Sequence, residues 1–462
     1  MNKMRTIFNI LVLLMISTTS FANVSLPKIF SDNMVLQRNA EVKIWGWAKP
    51  GEEVSIRTTW SEEVYKTKPN NMAYWEVILS TPDVRGSQQV TVQGYNQIVL
   101  KNVLLGEVWL VSGQSNMEWS ADAGITNAEE AIAGAENPKM RFFSLVHRTA
   151  EDPQQDLEGS WVESTPQSMR YFSAVAYFFG KKLQEELDVP VGLINSSWGG
   201  TPAEVWIPSE KINENERLSE AAALLPDVEY GPNAPGSIYN AMIAPLIPFK
   251  IAGILWYQGE SNTGNAEYYE EMFSSLIQSW RTKWEEELPF YYAQIAPYDY
   301  GDNFAGVKVR DAQRRVLALP KTGMIMTSDI GNVKDIHPRN KLDVGLRFAK
   351  LALSEIYNKE TGDAYAPLFD HAEADGSIVK VHFLNADGLY FDKNDVASQF
   401  EVAGENGNFH RADVKIENSK VLLSSPEVKN PEYVRFSWGN MSTSNLFNAA
   451  GLPASSFTEE VK

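Results

Sequence analysis

The chain has 462 residues, no cysteine, and 59 acidic against 41 basic residues, which gives a formal net charge of −18. Its length is too great for one hydrophobic core and predicts two or three domains. The lack of cysteine excludes disulfides and thiol catalysis, and the acidic balance argues against a nucleic-acid partner, because phosphate binding needs clustered lysine and arginine.

The first 22 residues have the order of a secretory signal peptide. Lys3 and Arg5 precede an almost wholly apolar stretch at residues 7–16, and Ser20 and Ala22 supply small residues for a cleavage site. This stretch of about ten residues is too short to span the ~30 Å hydrocarbon core of a membrane. We therefore expect export to the periplasm or beyond, with cleavage; an uncleaved anchor is the alternative. No membrane span is expected in the mature chain.

Residues 23–105 and 361–462 both have the pattern of β-rich regions. In the first, strand-like runs at residues 42–47, 54–60, 75–79 and 89–92 are separated by turn residues. In the second, apolar and polar residues alternate again. Short strands at this spacing predict β-sandwich-like regions at both ends of the chain.

Residues 106–360 alternate between strand-like and helical patterns. The apolar runs lie at residues 108–112, 191–195, 251–257, 290–295 and 324–328, and the helical patterns at residues 168–187, 266–284, 307–317 and 341–357. Repeated β-then-α units predict an α/β fold, a three-layer α/β/α domain with a parallel sheet. Ligands of such sheets bind beyond the carboxyl ends of the strands, so the polar residues there are the candidates for chemistry.

The first candidate is Ser115, which follows a predicted strand in the sequence Gly113-Gln114-Ser115. A serine at this junction exposes its hydroxyl at the sheet edge, where backbone N–H groups can stabilise an oxyanion. The alternative is a helix N-cap, for which serine is favoured. The second glycine of the Gly-x-Ser-x-Gly motif is absent.

Two further strand ends carry possible oxyanion donors. Gly199 and Gly200 allow close backbone approach and offer N–H groups, although a tight turn explains them equally well. After the next strand come Gln258, Glu260 and Asn262. The amide of Gln258 or Asn262 could donate to an oxyanion, with Glu260 in support, and a polar loop cap is the alternative.

His337 is the candidate general base. It lies between a predicted strand and a predicted helix, two residues after Asp335. A histidine that activates serine needs a carboxylate to hold one tautomer. Asp335 can supply that carboxylate, and Asp329 is the alternative. The alternative is that His337 has no catalytic role and simply lies in a solvated polar loop.

Other classes of enzyme have less support. The five histidines are scattered and no His-Glu-x-x-His motif occurs, so no metal site is predicted. Glycine-rich nucleotide-binding motifs are also absent from the sequence, and no cofactor is expected. A glycosidase with paired carboxylates would find many candidates among 59 acids, but no pair is singled out.

Together the motifs resemble the sialate O-acetylesterase family of SGNH-type hydrolases. The resemblance is carried by Gly113-Gln114-Ser115-Asn116-Met117, Ser197-Trp198-Gly199-Gly200-Thr201-Pro202, Trp256-Tyr257-Gln258-Gly259-Glu260-Ser261-Asn262 and Asp335-Ile336-His337-Pro338. It implies an SGNH-type central domain, with Ser115 as nucleophile, His337 as general base and Asp335 as its partner. The implied oxyanion donors are the Ser115 amide, a Gly199 or Gly200 amide, and the Gln258 side chain.

The sequence thus predicts a serine esterase that removes O-acetyl groups from carbohydrates, with sialate esters first among the substrates. Acetylated xylan, mannan or pectin fragments are the alternative substrates. Trp119, Trp198 and Tyr257 lie beside the motifs and are candidate sugar contacts. A carbohydrate-binding protein without activity is the rival from another class, but binding alone does not need a serine, a histidine and an amide in this arrangement.

Overall fold

The computed structural model describes residues 23–226, 228, 231–301, 304–362, 364–392 and 399–462. The predicted signal peptide, residues 1–22, lies outside this range. Within the described residues, no helix combines the length and the apolar character needed to cross a membrane.

The N-terminal region is a β-sandwich. Its strands are β1 Val35–Gln37, β2 Ala40–Trp47, β3 Val54–Thr58, β4 Ser61–Thr67, β5 Tyr74–Thr81, β6 Gln88–Gln93 and β7 Gln97–Gly113. Strand β2 pairs with β5, and β4, β3, β6 and β7 form a second antiparallel sheet. Val42 and Ile44 of one sheet and Ile56 and Val92 of the other belong to one buried apolar cluster. Burial of this shared apolar surface stabilises the two sheets against each other.

The central region alternates helices and strands. In chain order these are α1 Ser115–Glu118, α2 Ala128–Ala133, β8 Asn137–Ser144, β9 Trp161–Ser164, α3 Pro166–Tyr171, α4 Ala174–Leu187, β10 Val191–Ser197, α5 Ser209–Asn213, α6 Glu216–Ala223, β11 Gly253–Tyr257, α7 Tyr269–Trp284, β12 Phe290–Ala293, α8 Ala305–Val316, β13 Thr322–Ile325 and α9 Lys341–Glu355. Shorter helical turns lie at Ala121–Ala123, Ala203–Trp206, Tyr239–Ile243, Ala244–Leu246 and Glu260–Tyr268.

The central sheet has the strand order β13-β12-β11-β7-β10-β8-β9. Neighbouring strands are parallel from β13 to β8, and β9 adds an antiparallel edge. Trp109 and Val111 of β7 face one buried cluster, which includes residues of α4 and α9. Val108 and Leu110 face another, which includes residues of α7. The predicted three-layer α/β/α arrangement with a parallel sheet is confirmed.

Strand β7 belongs to both the N-terminal sheet and the central sheet. Up to Val103 it pairs antiparallel with β6, and from Glu107 to Gly113 it pairs in parallel with β10. One continuous strand therefore leads from the β-sandwich to the carboxyl edge of the central sheet.

The predicted helix over residues 168–187 is two helices, α3 and α4. Ser173 lies between them, and its side chain accepts the N–H of Ala176 as the N-cap of α4. An N-cap residue has a non-helical backbone, so the chain turns there and a second helix begins.

The C-terminal region consists of short antiparallel strands. They are β14 Leu368–Asp375, β15 Ile378–Leu384, β16 Tyr390–Phe391, β17 Phe400–Ala403, β18 His410–Arg411, β19 Asp413–Glu417, β20 Lys420–Ser424, β21 Tyr433–Phe436, β22 Leu446–Phe447 and β23 Phe457–Glu460. The sheets β14-β15-β20-β19 and β18-β17-β21-β23 share a buried cluster that includes Val381, Phe400 and Phe436. Paired sheets over a common core are the β-sandwich-like arrangement expected from the sequence.

Candidate active site

Ser115 is placed by the close approach of strands β7 and β11. Gly113 has a φ of +134°, and a Cβ at this position would lie 2.2 Å from the carbonyl oxygen of Tyr257. Only glycine fits such a contact with this backbone conformation. Gln114 then donates its N–H to the same carbonyl at 3.0 Å, and Ser115 begins helix α1. The serine is thereby fixed at the carboxyl edge of the sheet.

Ser115 and His337 meet directly although 222 residues separate them. The distance from Ser115 Oγ to His337 Nε2 is 2.9 Å, which is a hydrogen bond. His337 comes from the loop between β13 and α9, at the same edge of the sheet as Ser115. The structure therefore brings a serine hydroxyl and an imidazole within hydrogen-bond distance, which is the arrangement expected of a nucleophile and its base.

The two candidate partners of His337 have different surroundings. Asp335 Oδ1 accepts the backbone N–H of His337 at 3.0 Å, so its carboxylate fixes the loop rather than the imidazole ring. Asp329 forms a two-pronged ion pair with Arg347, with distances of 2.7 and 2.5 Å. Asp335 is thus the carboxylate beside His337, while Asp329 is already paired.

His337 has a lowered pKa. The main cause is burial, which disfavours the charged imidazolium, and the nearby charge of Lys341 lowers the pKa further. The negative charge of Asp335 opposes both effects. A lowered pKa keeps the imidazole neutral, and so able to accept a proton, down to a more acidic pH.

Trp119 packs against His337. Its ring stacks on the imidazole, with 4.8 Å between centroids and 15° between planes. The indole is half-buried, and this stacking fixes the orientation of the imidazole ring. Trp119 was a candidate sugar contact, and the structure places it against the proposed base.

A buried polar cluster lies behind Ser115. Asn116 donates through Nδ2 to Glu260 Oε1 at 2.6 Å and to the carbonyl of Ile336 at 2.9 Å. Its Oδ1 accepts a hydrogen bond from Lys341 Nζ at 2.6 Å. Burial raises the pKa of Glu260 and lowers that of Lys341 to about 7. Glu260, expected as a supporting residue, is thus hydrogen-bonded to Asn116, which directly follows Ser115.

Gly199 lies beside Ser115, and Gly200 follows it in the chain. A Cβ at Gly199 would be only 3.3 Å from Ser115 Cβ. The N–H of Gly199 donates to Glu118 Oε2 at 2.6 Å, so this expected oxyanion donor already has an acceptor. Gly200 has a φ of +74°, a conformation that glycine adopts readily.

Glu118 also pairs with His147, at 2.9 Å from Oε1 to Nε2. This hydrogen bond raises the pKa of His147. The His147 ring stacks on Trp198, with 4.4 Å between centroids. Trp198 is partly exposed beside Gly199, which is compatible with the expected contact to a sugar.

Gln258 does not have the surroundings expected of an oxyanion donor. It is completely buried, and its Nε2 donates to the carbonyl of Thr201 at 3.3 Å and to Asn262 Oδ1 at 2.7 Å. These two bonds use both hydrogens of the amide. Gln258 instead supports the loop that contains Gly199 and Gly200.

Asn262 and Tyr257 are also buried, each with 1 % of its surface exposed. Asn262 accepts the N–H of Ala203 and donates to Glu204, so it too holds the glycine loop rather than an oxyanion. The Tyr257 ring lies 5.7 Å from Lys341 Nζ. The expectation that Tyr257 contacts the sugar is therefore wrong, because a sugar cannot reach it.

A parallel sheet between two helical layers, with serine and histidine at its carboxyl edge, is the arrangement of an SGNH-type hydrolase. A sequence profile described as carbohydrate esterase, sialic acid-specific acetylesterase, matches residues 105–354. The chain therefore belongs to this family. The expectation of a carboxylic ester hydrolase that removes O-acetyl groups from carbohydrates is confirmed.

Known relatives agree with this membership. Sialate O-acetylesterase of Mus musculus is 30% identical over 406 residues, which cover 73% of this chain and 75% of the relative. The human sialate O-acetylesterase is 28% identical over 382 residues, covering 74% and 73%. The crystal structure of a carbohydrate acetylesterase from Xanthomonas citri superposes with a TM-score of 0.86 at 33% identity, covering 95% of this chain and 99% of that one.

Proposed function

We propose that the protein hydrolyses O-acetyl esters of sialic acid through an acetyl-enzyme on Ser115. The observation that carries this proposal is the 2.9 Å hydrogen bond between Ser115 Oγ and His337 Nε2. A hydroxyl is a weak nucleophile until a base takes its proton, and a histidine at this distance is that base.

The reaction takes two steps. As Ser115 Oγ bonds to the acetyl carbon, its proton passes to His337 Nε2 and the carbonyl electrons move onto oxygen. The bond to the sugar then breaks, and His337 gives the proton to the departing sugar oxygen. In the second step His337 takes a proton from water as the water oxygen bonds to the acetyl carbon. The bond from that carbon to Ser115 Oγ then breaks, His337 returns the proton to Ser115 Oγ, and acetate leaves.

The oxyanion of each step is stabilised by backbone N–H groups. The first N–H groups of a helix have no partner within it and carry partial positive charge, and Ser115 is the first residue of α1. Gly200 is the second donor in this proposal. Gly199 becomes a third donor only when Glu118 leaves its N–H.

Asp335 supports His337 through its charge in this mechanism. Replacing Asp335 with asparagine keeps an oxygen for the His337 N–H but removes the charge that stabilises the imidazolium. We expect a loss of kcat of about tenfold or more. Steady-state kinetics on 4-nitrophenyl acetate measures the loss.

Asp329→Asn is the matched control, because it breaks the ion pair with Arg347. It should lower the thermal unfolding midpoint while kcat stays within about twofold. If Asp329→Asn lost kcat and Asp335→Asn did not, the assignment of Asp335 would be wrong.

The choice of sialate rests on the relatives at 28–30% identity, which are sialate O-acetylesterases. A second candidate substrate is another acetylated carbohydrate, such as a xylan, mannan or pectin fragment. It is favoured by the nearly complete superposition on the Xanthomonas citri enzyme, which is described only as a carbohydrate acetylesterase.

Acetate release separates the two substrates. We expect kcat/KM on O-acetylated sialic acid to exceed that on acetylated xylo-oligosaccharides by at least about tenfold, a difference of about 1.4 kcal/mol in transition-state binding. The reverse order would assign the enzyme to plant polysaccharide fragments. Turnover of neither sugar, with 4-nitrophenyl acetate as a positive control for activity, would contradict both.

A further inference from the structure

Lys341 occupies a position that is unfavourable for a lysine on two counts. Its side chain is buried, with 1 % of the residue exposed, and burial of an ammonium group is costly unless it is paired. It is also the first residue of helix α9, where the helix dipole disfavours positive charge. Neither feature helps the fold, so a function for this ammonium group is the economical explanation.

The hydrogen bond of the Lys341 side chain leads to the proposed catalytic residues. It is formed with Asn116 Oδ1, at 2.6 Å, and Asn116 directly follows Ser115. The Nδ2 of the same amide donates to the carbonyl of Ile336, which directly precedes His337. Asn116 therefore links the nucleophile helix to the loop of the base, and Lys341 fixes the orientation of the linking amide.

Lys341 is the partner of the amide oxygen, while Glu260 and the carbonyl of Ile336 accept from the amide nitrogen. An asparagine side chain can rotate by 180° about its terminal torsion, which exchanges its donor and its acceptor. A cation can only donate and Glu260 Oε1 accepts from the opposite side at 2.6 Å, so just one of the two orientations satisfies both neighbours. With the cation removed, the amide loses the partner of its oxygen.

We propose that Lys341 is a positioning residue of the esterase reaction, whose ammonium group orients Asn116 and thereby holds Ser115 and His337 at their mutual distance. This inference rests on the proposed roles of Ser115 and His337. A displacement of reacting groups by about 1 Å can cost about 10²-fold in rate, so a residue that fixes this distance has a large effect without touching the substrate.

The charge of Lys341 has a second effect on the same site. The pKa of His337 is lowered by the charge of Lys341 and raised by that of Asp335. The negative charges of Glu260 and Asp335 in turn favour the charged form of Lys341. Trp119 and Tyr257, with centroids 5.6 and 5.7 Å from Nζ, supply aromatic faces that attract a cation. The pKa of Lys341 is about 7 and that of His337 lies below 6.5, so Lys341 is mostly charged where His337 titrates. Removing this positive charge must therefore raise the pKa of His337.

Lys341→Met and Lys341→Gln separate the two effects. Methionine has a similar length and suits a buried site, but it neither donates nor carries charge. Glutamine has no charge but retains a donor for Asn116. We expect Lys341→Met to lower kcat by about 10- to 100-fold with KM changed less than about twofold, and Lys341→Gln to recover part of that loss.

The pKa of His337 is measured without turnover. The chain has five histidines, so histidine-selective ¹³C labelling gives a small set of signals, and His337→Gln identifies the relevant one. We expect this pKa to rise by roughly half a unit or more in both Lys341 variants. Lys334→Met is the control, because it removes a positive charge from an exposed side chain in the loop that contains His337.

Two results would overturn the proposal. One is a folded Lys341→Met protein with unchanged kcat, whatever the pKa of its His337. The other is a loss of kcat in Lys341→Met that is accompanied by a lower unfolding midpoint, together with an unchanged His337 pKa in Lys341→Gln. That combination is expected if Lys341 has only a structural role. Because the titration does not depend on turnover, failure of this inference remains distinct from failure of the esterase mechanism.

Discussion

Replacement of Ser115 by alanine is expected to lower kcat/KM for acetyl esters by at least about 10⁴-fold while leaving the fold intact. The alanine lacks the oxygen that forms the acetyl-enzyme, and His337 Nε2 loses the partner that lies 2.9 Å away. Ser115 begins a four-residue helix and its side chain is only partly buried, so its loss leaves little cavity. The backbone N–H groups remain and account for residual catalysis.

The measurement is the initial rate of 4-nitrophenyl acetate hydrolysis, with the unfolding midpoint recorded for each protein. Ser120→Ala is the matched control, because Ser120 lies five residues further along the same segment and its side chain makes no capping hydrogen bond. We expect Ser120→Ala to retain full activity. An active Ser115→Ala protein would remove Ser115 from the mechanism, and the 2.9 Å contact would then be structural.

The fold of the central region was predictable because its strands are buried on both faces. Residues 108–111 of β7 alternate between two clusters, so all four are apolar and the run stands out in the sequence. The same strand also extends back to Gln97, where it pairs with β6. Residues 97–103 lack such an unbroken apolar run, so the sequence pattern does not show that this half belongs to the same strand.

The meeting of Ser115 and His337 was predictable for a related reason. Each follows a strand of one parallel sheet, and the carboxyl ends of parallel strands share one edge. The position of a residue at this edge does not fix the direction of its side chain. Gln258 and Tyr257 lie at the same edge, but their side chains point into the protein, where Thr201 and Lys341 meet them. A one-dimensional pattern contains no information on these partners.

The site also contains residues that were not predicted, among them Asn116, Glu118, His147 and Lys341. Glu118 and Lys341 lie in the first turns after Ser115 and His337, where a charged residue usually indicates a solvated helix face. His147 has its nearest acidic residue in Glu151, but its partner in the structure is Glu118, which reaches it only in the fold. Of these residues only Lys341 could have been suspected from the sequence, because a lysine at the beginning of a helix opposes the helix dipole.

Replacement of His337 by glutamine is expected to lower kcat/KM by about 10³-fold or more, because no base then takes the Ser115 proton. Glutamine occupies a similar volume and can still donate to Ser115 Oγ, so the variant tests proton transfer more than packing. His382→Gln is the control. His382 lies on strand β15 of the C-terminal region, outside the site.

The pH dependence of the same pair of variants tests the role of His337 directly. The neutral imidazole is the active form, so kcat/KM of the wild type must fall as the pH drops through the pKa of His337. Burial and Lys341 place this pKa below its ordinary value of 6.5, and the acidic limb should therefore lie below pH 6.5. His382→Gln should retain the limb, whereas the residual activity of His337→Gln should lack it. A limb that persists in His337→Gln would assign the titration, and with it the base, to another group.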